Sequence, residues 1–157
     1  MGYNFGARKK QRLNSATKYG CVIALVLMGA GMLVFWLMPD VLLSIFNASA
    51  DMLKIGVPGL RIISLCFLPA ALGIVGSTFF QAVGKGVNSL LVSLLRQLIV
   101  LLPAAFLLAK LGVVEWVWYA FPIAETFSLL ATIVLYLRVY KRQIQNFGAG
   151  TKPNLRT

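Results

Sequence analysis

Polar and apolar positions along this chain fall into blocks. Four long apolar runs stand out: Cys21 to Met38, "CVIALVLMGAGMLVFWLM"; Ile62 to Gly84, "IISLCFLPAALGIVGSTFFQAVG"; Val87 to Ala109, where the one charge is Arg96; and Trp116 to Leu137, where the one charge is Glu125. A helix needs about 20 mostly apolar residues to cross a hydrocarbon core, and each run is long enough. In lipid, backbone N–H and C=O groups must be satisfied within the segment, so all four runs are predicted to be helices. The pattern predicts an all-α, polytopic membrane helix bundle with four transmembrane helices. Its expected spans are 19–38, 60–84, 87–109 and 114–138, within a membrane region over 1–145. The remainder, 146–157, is polar with Gly and Pro and reads as a disordered cytoplasmic tail.

The polar blocks set the topology. Arg8, Lys9, Lys10, Arg12 and Lys18 precede the first run, and Arg138, Lys141, Arg142, Lys152 and Arg156 follow the last. Basic flanks mark the cytoplasmic side of membrane helices. Four spans put both termini on that side together with the turn at Lys85, and leave 39–61 and 110–115 outside. Trp36, Trp116, Trp118, Tyr119, Tyr136 and Tyr140 fall near predicted span ends, as an aromatic belt does. In the outer segment Leu42, Ile45 and Phe46 recur at i, i+3 and i+4, which predicts a short interfacial helix with Asp40 as its cap. The first run follows a basic stretch, and "ASA" at 48–50 imitates a cleavage site. The run exceeds a signal-peptide core and "ASA" lies far beyond it, so a retained helix is expected.

Composition supports lipid as the solvent. Of 157 residues, 59% are hydrophobic and 12% charged, and mean hydropathy is +0.84. Soluble domains carry roughly a quarter charged residues, and so short a chain cannot hide this much apolar surface in one core. The lipid bilayer is therefore the first expected partner. Net charge is +11. No soluble basic surface interleaved with aromatics carries it, so nucleic acid is excluded as a partner.

Candidate chemistry is sparse. Histidine is absent, and Cys21 and Cys66 stand alone beside or within apolar runs. That pattern supports no disulfide framework, metal site or cofactor, and the two thiols read as structural. "GKG" at 84–86 lacks the flanking residues of a phosphate loop, and a serine-histidine-acid set is impossible. No enzyme is expected. Two charges inside spans are the exception. Arg96 lies roughly 15 Å in from the cytoplasmic end and Glu125 roughly 20 Å, at 1.5 Å per residue, on consecutive antiparallel helices. A charge at mid-bilayer costs at least about 2.5–3.5 kcal/mol. Pairing lowers that cost, so Arg96 and Glu125 are a candidate intramembrane ion pair. It serves either to fix helix packing or to couple to a substrate. Snorkelling of Arg96 to an interface is the alternative. In the second span Pro69, Gly73, Ser77 and Gln81 share a face at i, i+4 spacing. They are candidate cavity-lining residues or a close-packing face, since Pro frees a carbonyl and small residues admit a neighbouring helix. Pro103 and Pro122 leave the same two readings open.

Several stretches are family-like. "GYNFGARKKQR" at 2–12 resembles the cytoplasmic loop after the second helix of each half of a MATE (multidrug and toxic compound extrusion) transporter. "PDVLLSIFNASADMLKIGVPGLRIISL" at 39–65 resembles the outer segment before the tenth helix. "QAVGKGVNSLLVSLLRQLIVLLPAAFLL" at 81–108 is similar to the tenth-to-eleventh helix junction, and "GVVEWVWYAFPIAE" at 112–125 to the entry of the twelfth. The resemblance implies a plasma (bacterial inner) membrane protein covering the last four of twelve spans, the end of a C-terminal lobe. It also implies Na⁺ or H⁺ as coupling cation, cationic amphipathic small molecules as cargo, and the remaining helices of the transporter as partners. Such antiporters rock two lobes about a central cavity, so this piece is expected not to transport alone, and Met1 to be internal. Some relatives carry an acidic cation ligand in the tenth helix; the matching span has no Asp or Glu. The other readings are a standalone four-helix partner protein and a remnant of a related lipid-linked sugar flippase.

Overall fold

The computed structural model describes residues 1–145 and Phe147. The disorder expected over 146–157 lies, apart from Phe147, outside the described residues. Gly2–Gly6 forms α1, Lys10–Leu37 α2, Pro39–Ser44 α3, Ala50–Ser64 α4, Phe67–Ala82 α5, Gly86–Ala109 α6 and Val114–Ile144 α7. A turn at Trp118–Tyr119 interrupts α7 near its start. No strand occurs among the described residues. Helices α2, α6 and α7 are each long and apolar enough to cross a membrane, and the bent pair α4–α5 passes the same test when taken together as one span.

Three boundaries differ from those read in the sequence, each for a physical reason. Helix α2 begins at Lys10 rather than near 19, because its polar first turns pack on the end of α7. Leu13 is fully buried there. Lys10 Nζ donates to the Gln145 carbonyl (3.2 Å) and Asn14 Nδ2 to Tyr140 Oη (2.9 Å). The second span is two helices that meet at 46°. The break at Leu65 and Cys66 follows from Pro69, which has no N–H for the Leu65 carbonyl four residues back. The N–H groups of Leu65 and Cys66 close tight turns onto Ile62 (3.2 Å) and Ile63 (2.9 Å) instead. The outer segment is more helical than one short interfacial helix. Asp40 lies in the first turn of α3 but does not cap it, because Pro39 occupies the first helical position. Ser49 caps α4, its Oγ accepting from the Met52 N–H at 3.3 Å. Helix α3 stops at Ser44, and Asn47 takes a left-handed turn at φ +53°.

Helix α5 is the centre of the bundle, packed against α2 on one side and α6 and α7 on the other. Its return into α6 ends in a left-handed Gly84 (φ +72°). The Lys85 N–H reaches the Phe80 carbonyl (2.7 Å) and the Gly84 N–H the Gln81 carbonyl (3.1 Å), the pair of bonds that closes a glycine-terminated helix. The densest core joins Leu13, Phe79, Phe80, Val83, Val139 and Ile144 at the basic end, with the Phe5 and Phe147 rings tilted against each other beside it at 5.5 Å. Elsewhere the large apolar side chains face outward, among them Val26, Leu27, Leu98, Ile99, Phe106, Phe127 and Leu130. In water such a surface aggregates; in lipid it is the solvated face.

The aromatic side chains divide. Trp36, Trp116 and Tyr119 are exposed near helix ends. Tyr136 and Tyr140 instead pack inward, Tyr136 lying 4.6 Å from the Phe79 ring and 5.8 Å from Tyr140. Trp118 lies under Gly59 of α4, where an added Cβ would come within 2.9 Å of its ring.

Candidate functional site

The intramembrane charges meet. Arg96 Nη1 lies 2.7 Å from Glu125 Oε1, linking α6 to α7. The Arg96 side chain is 36% exposed and that of Glu125 16%. Local backbone explains the aim. Residues Leu95–Leu101 form wider π-helical turns just ahead of Pro103. Pro103 withholds the N–H that the Ile99 carbonyl would accept, and a π-turn relieves such a mismatch by inserting an extra residue. The wider turn changes the angular register between Arg96 and the apolar positions that follow it.

Arg96 lines two clefts, and Glu125 lines the larger of them. One, of about 280 Å³, is bounded by Ile63, Cys66, Gln97, Phe121 and Ala124, beside the α4–α5 break. The other, of about 80 Å³, is bounded by Gly73, Ser77, Ser93 and Ser128. From there a polar seam runs toward the basic end. The hydroxyls of Ser77 and Ser89 are hydrogen-bonded, and Gln81 Nε2 donates to Ser89 Oγ at 3.3 Å. Of the α5 face read from the sequence, Gly73 and Ser77 line the small cleft, Gln81 joins Ser89, and Pro69 stands above the break. Pro69 does not line either of these clefts.

A close helix approach falls on a different face. It is made by α7, where Ala120, Ala124, Ser128 and Thr132 recur every four residues and are all buried. Gly76 of α5 abuts Thr132 so closely that an added Cβ would collide with the Thr132 methyl. The Thr132 hydroxyl is buried without a partner among the described residues. The signal was present in the fourth apolar run as a small-xxx-small ladder, the pattern that lets membrane helices approach.

Among the described residues no group of His, Cys, Asp and Glu assembles to hold a metal ion. Glu125 is engaged by Arg96, Asp51 pairs with Lys54 at the surface, and Asp40 and Glu115 lie in first turns at the far end. The donors present therefore do not fit a Na⁺ site of clustered carboxylates, which prefers hard oxygen ligands in number.

Residues 1–107 match the family model MatE. The chain belongs to the MatE family. It is accordingly a multi-pass membrane protein of an efflux-transporter family, as the stretches at 2–12, 39–65 and 81–108 imply. A solved structure titled "protein A" is 30% identical and superposes with a TM-score of 0.78, over 90% of this chain. The MatE chain described here spans 31% of the length of that protein. No curated protein matches.

Proposed function

We propose that this MatE chain supplies the last four spans of a Na⁺- or H⁺-coupled antiporter that exports cationic amphipathic compounds across the plasma membrane. Both basic termini then face the cytoplasm. The observation that supports this reading is the family match taken with the partial coverage of the solved relative. Alternating access needs two lobes that rock about a shared site, and a single bundle centred on α5 offers one. Arg96 and Glu125 act here as a packing tie: the acid neutralises the guanidinium inside the membrane and leaves no free carboxylate in the spans for the coupling cation. The cation site then belongs to the remaining helices.

The test uses the purified chain in liposomes with an imposed Na⁺ or H⁺ gradient and ethidium as cargo. No gradient-driven ethidium movement is expected from the chain alone. Gradient-driven movement by the chain alone would overturn the reading and favour a self-sufficient four-helix transporter.

A further inference from the structure

The basic end of the bundle holds a cleft of about 580 Å³ between the start of α6 and the end of α7. Its wall carries Lys85, Asn88, Arg138, Arg142 and Gln143. Lys85 stands in the α5–α6 turn, Asn88 in the first turn of α6, and Arg138 and Arg142 one turn apart near the end of α7. We propose that this cleft is a binding site for a phosphate group, of the kind carried by an anionic phospholipid headgroup at the membrane surface.

The argument is one of uncompensated charge. The whole chain has four acidic side chains. Asp40, Asp51 and Glu115 stand at the far ends of the helices, and Glu125 is bound to Arg96. No side-chain carboxylate of this protein can therefore neutralise Lys85, Arg138 or Arg142. Like charges at i, i+4 repel, as Arg138 and Arg142 do on α7. An anion seated between them and Lys85 removes that repulsion and gains charge-assisted hydrogen bonds, for which the guanidinium fork suits phosphate. The start of α6 adds its positive dipole end and the Asn88 amide on the opposite wall. Leu135 and Val139 complete the wall, and the Gln143 carbonyl oxygen, an acceptor buried without a partner among the described residues, suits a hydroxyl of the headgroup rather than its phosphate. The position suits a lipid source, since Lys85 and Asn88 stand where α5 ends and α6 begins, at the basic end of the bundle.

The probe is phosphatidylglycerol against phosphatidylcholine, counted as lipids retained by the purified full chain in native mass spectrometry. Three forms are compared: the unsubstituted chain, Arg138→Gln with Arg142→Gln, and Arg8→Gln with Lys9→Gln as a control that removes equal charge from the same end. Circular dichroism and melting in detergent verify that each is folded. A hydrogen bond to a charged group is worth roughly tenfold or more, so the α7 pair should lose at least about 10- to 30-fold in phosphatidylglycerol retention, whereas cations that act only through the screened surface potential contribute less. The control should lose no more than a few-fold. Excess inorganic phosphate that displaces the lipid from the unsubstituted chain supports the site through its shared chemistry. Inorganic phosphate retained where phosphatidylglycerol is not assigns the same site to the free anion. Equal losses in the two double variants, or no preference for phosphatidylglycerol, overturn the proposal. If the α7 variant does not fold, Lys85→Gln with Asn88→Ala removes the opposite wall and reads the same difference.

Discussion

At the scale of single residues, two contacts hold α7 in place, one electrostatic and one steric. Removing one partner of the Arg96–Glu125 pair strands the other charge inside the membrane, at a cost of about 2.5–3.5 kcal/mol even where snorkelling relieves it. Removing both leaves an apolar seam. Arg96→Leu and Glu125→Leu are each expected to lower the folded yield, and the double substitution to recover most of it; fluorescence-detected gel filtration reads all three. A double variant as poor as the worse single would assign the pair a role other than mutual neutralisation. The steric contact predicts a second cycle. Gly76→Ala drives a methyl into Thr132 and should cost about 1–3 kcal/mol, as overpacking does. Thr132→Ser removes the colliding methyl while keeping the hydroxyl, and should restore the melting temperature. The charges were legible in the sequence because a charge in an apolar run is conspicuous. Gly76 was not, since a glycine among small residues reveals its neighbour only when the helices are docked.

Single elements carry most of what the pattern missed. Hydropathy locates a span but not the polar turns that extend it, so α2 was expected to start near 19 although Leu13, Asn14 and Lys10 anchor it from residue 10. Likewise α4 is half polar at its start and reads as loop until Ser49 is recognised as its cap. Asn47 and Ser49 have conformational roles: a left-handed turn and a helix cap. Proline placement was readable, and its consequence is testable. Pro69→Ala restores an N–H for the Leu65 carbonyl and should reduce the 46° angle between α4 and α5. Spin labels at Met52 and Thr78 would report that as a longer distance between the two helices. An unchanged distance would transfer the cause of the break to the packing of Cys66 and Phe67. Pro58 lies inside α4 without breaking it, so proline alone does not fix where a bend falls.

At the scale of the whole molecule, the membrane decides the fold class. Blocks of apolar sequence, an excess of outward-facing Leu, Ile, Val and Phe, and charges collected at helix ends agree on a bundle solvated by lipid. The basic flanks predict a sidedness. Cysteines placed at Ser44 and at Lys85 should react with an impermeant maleimide from opposite faces of the membrane, and labelling of both from one face would contradict the four-crossing path. Family membership was legible because residues 2–12, 39–65 and 81–108 keep their order and spacing, and those stretches fall largely within the matched region. The cleft at Arg138 and Arg142 was not, because its walls come from helices separated by more than a span. The measurement that tests the central claim most directly is the DNA sequence immediately upstream of the Met1 codon. The account predicts an open frame in phase that encodes about eight further apolar spans. An in-phase stop codon with a ribosome-binding site directly before Met1 would contradict it and make this a free four-helix membrane protein.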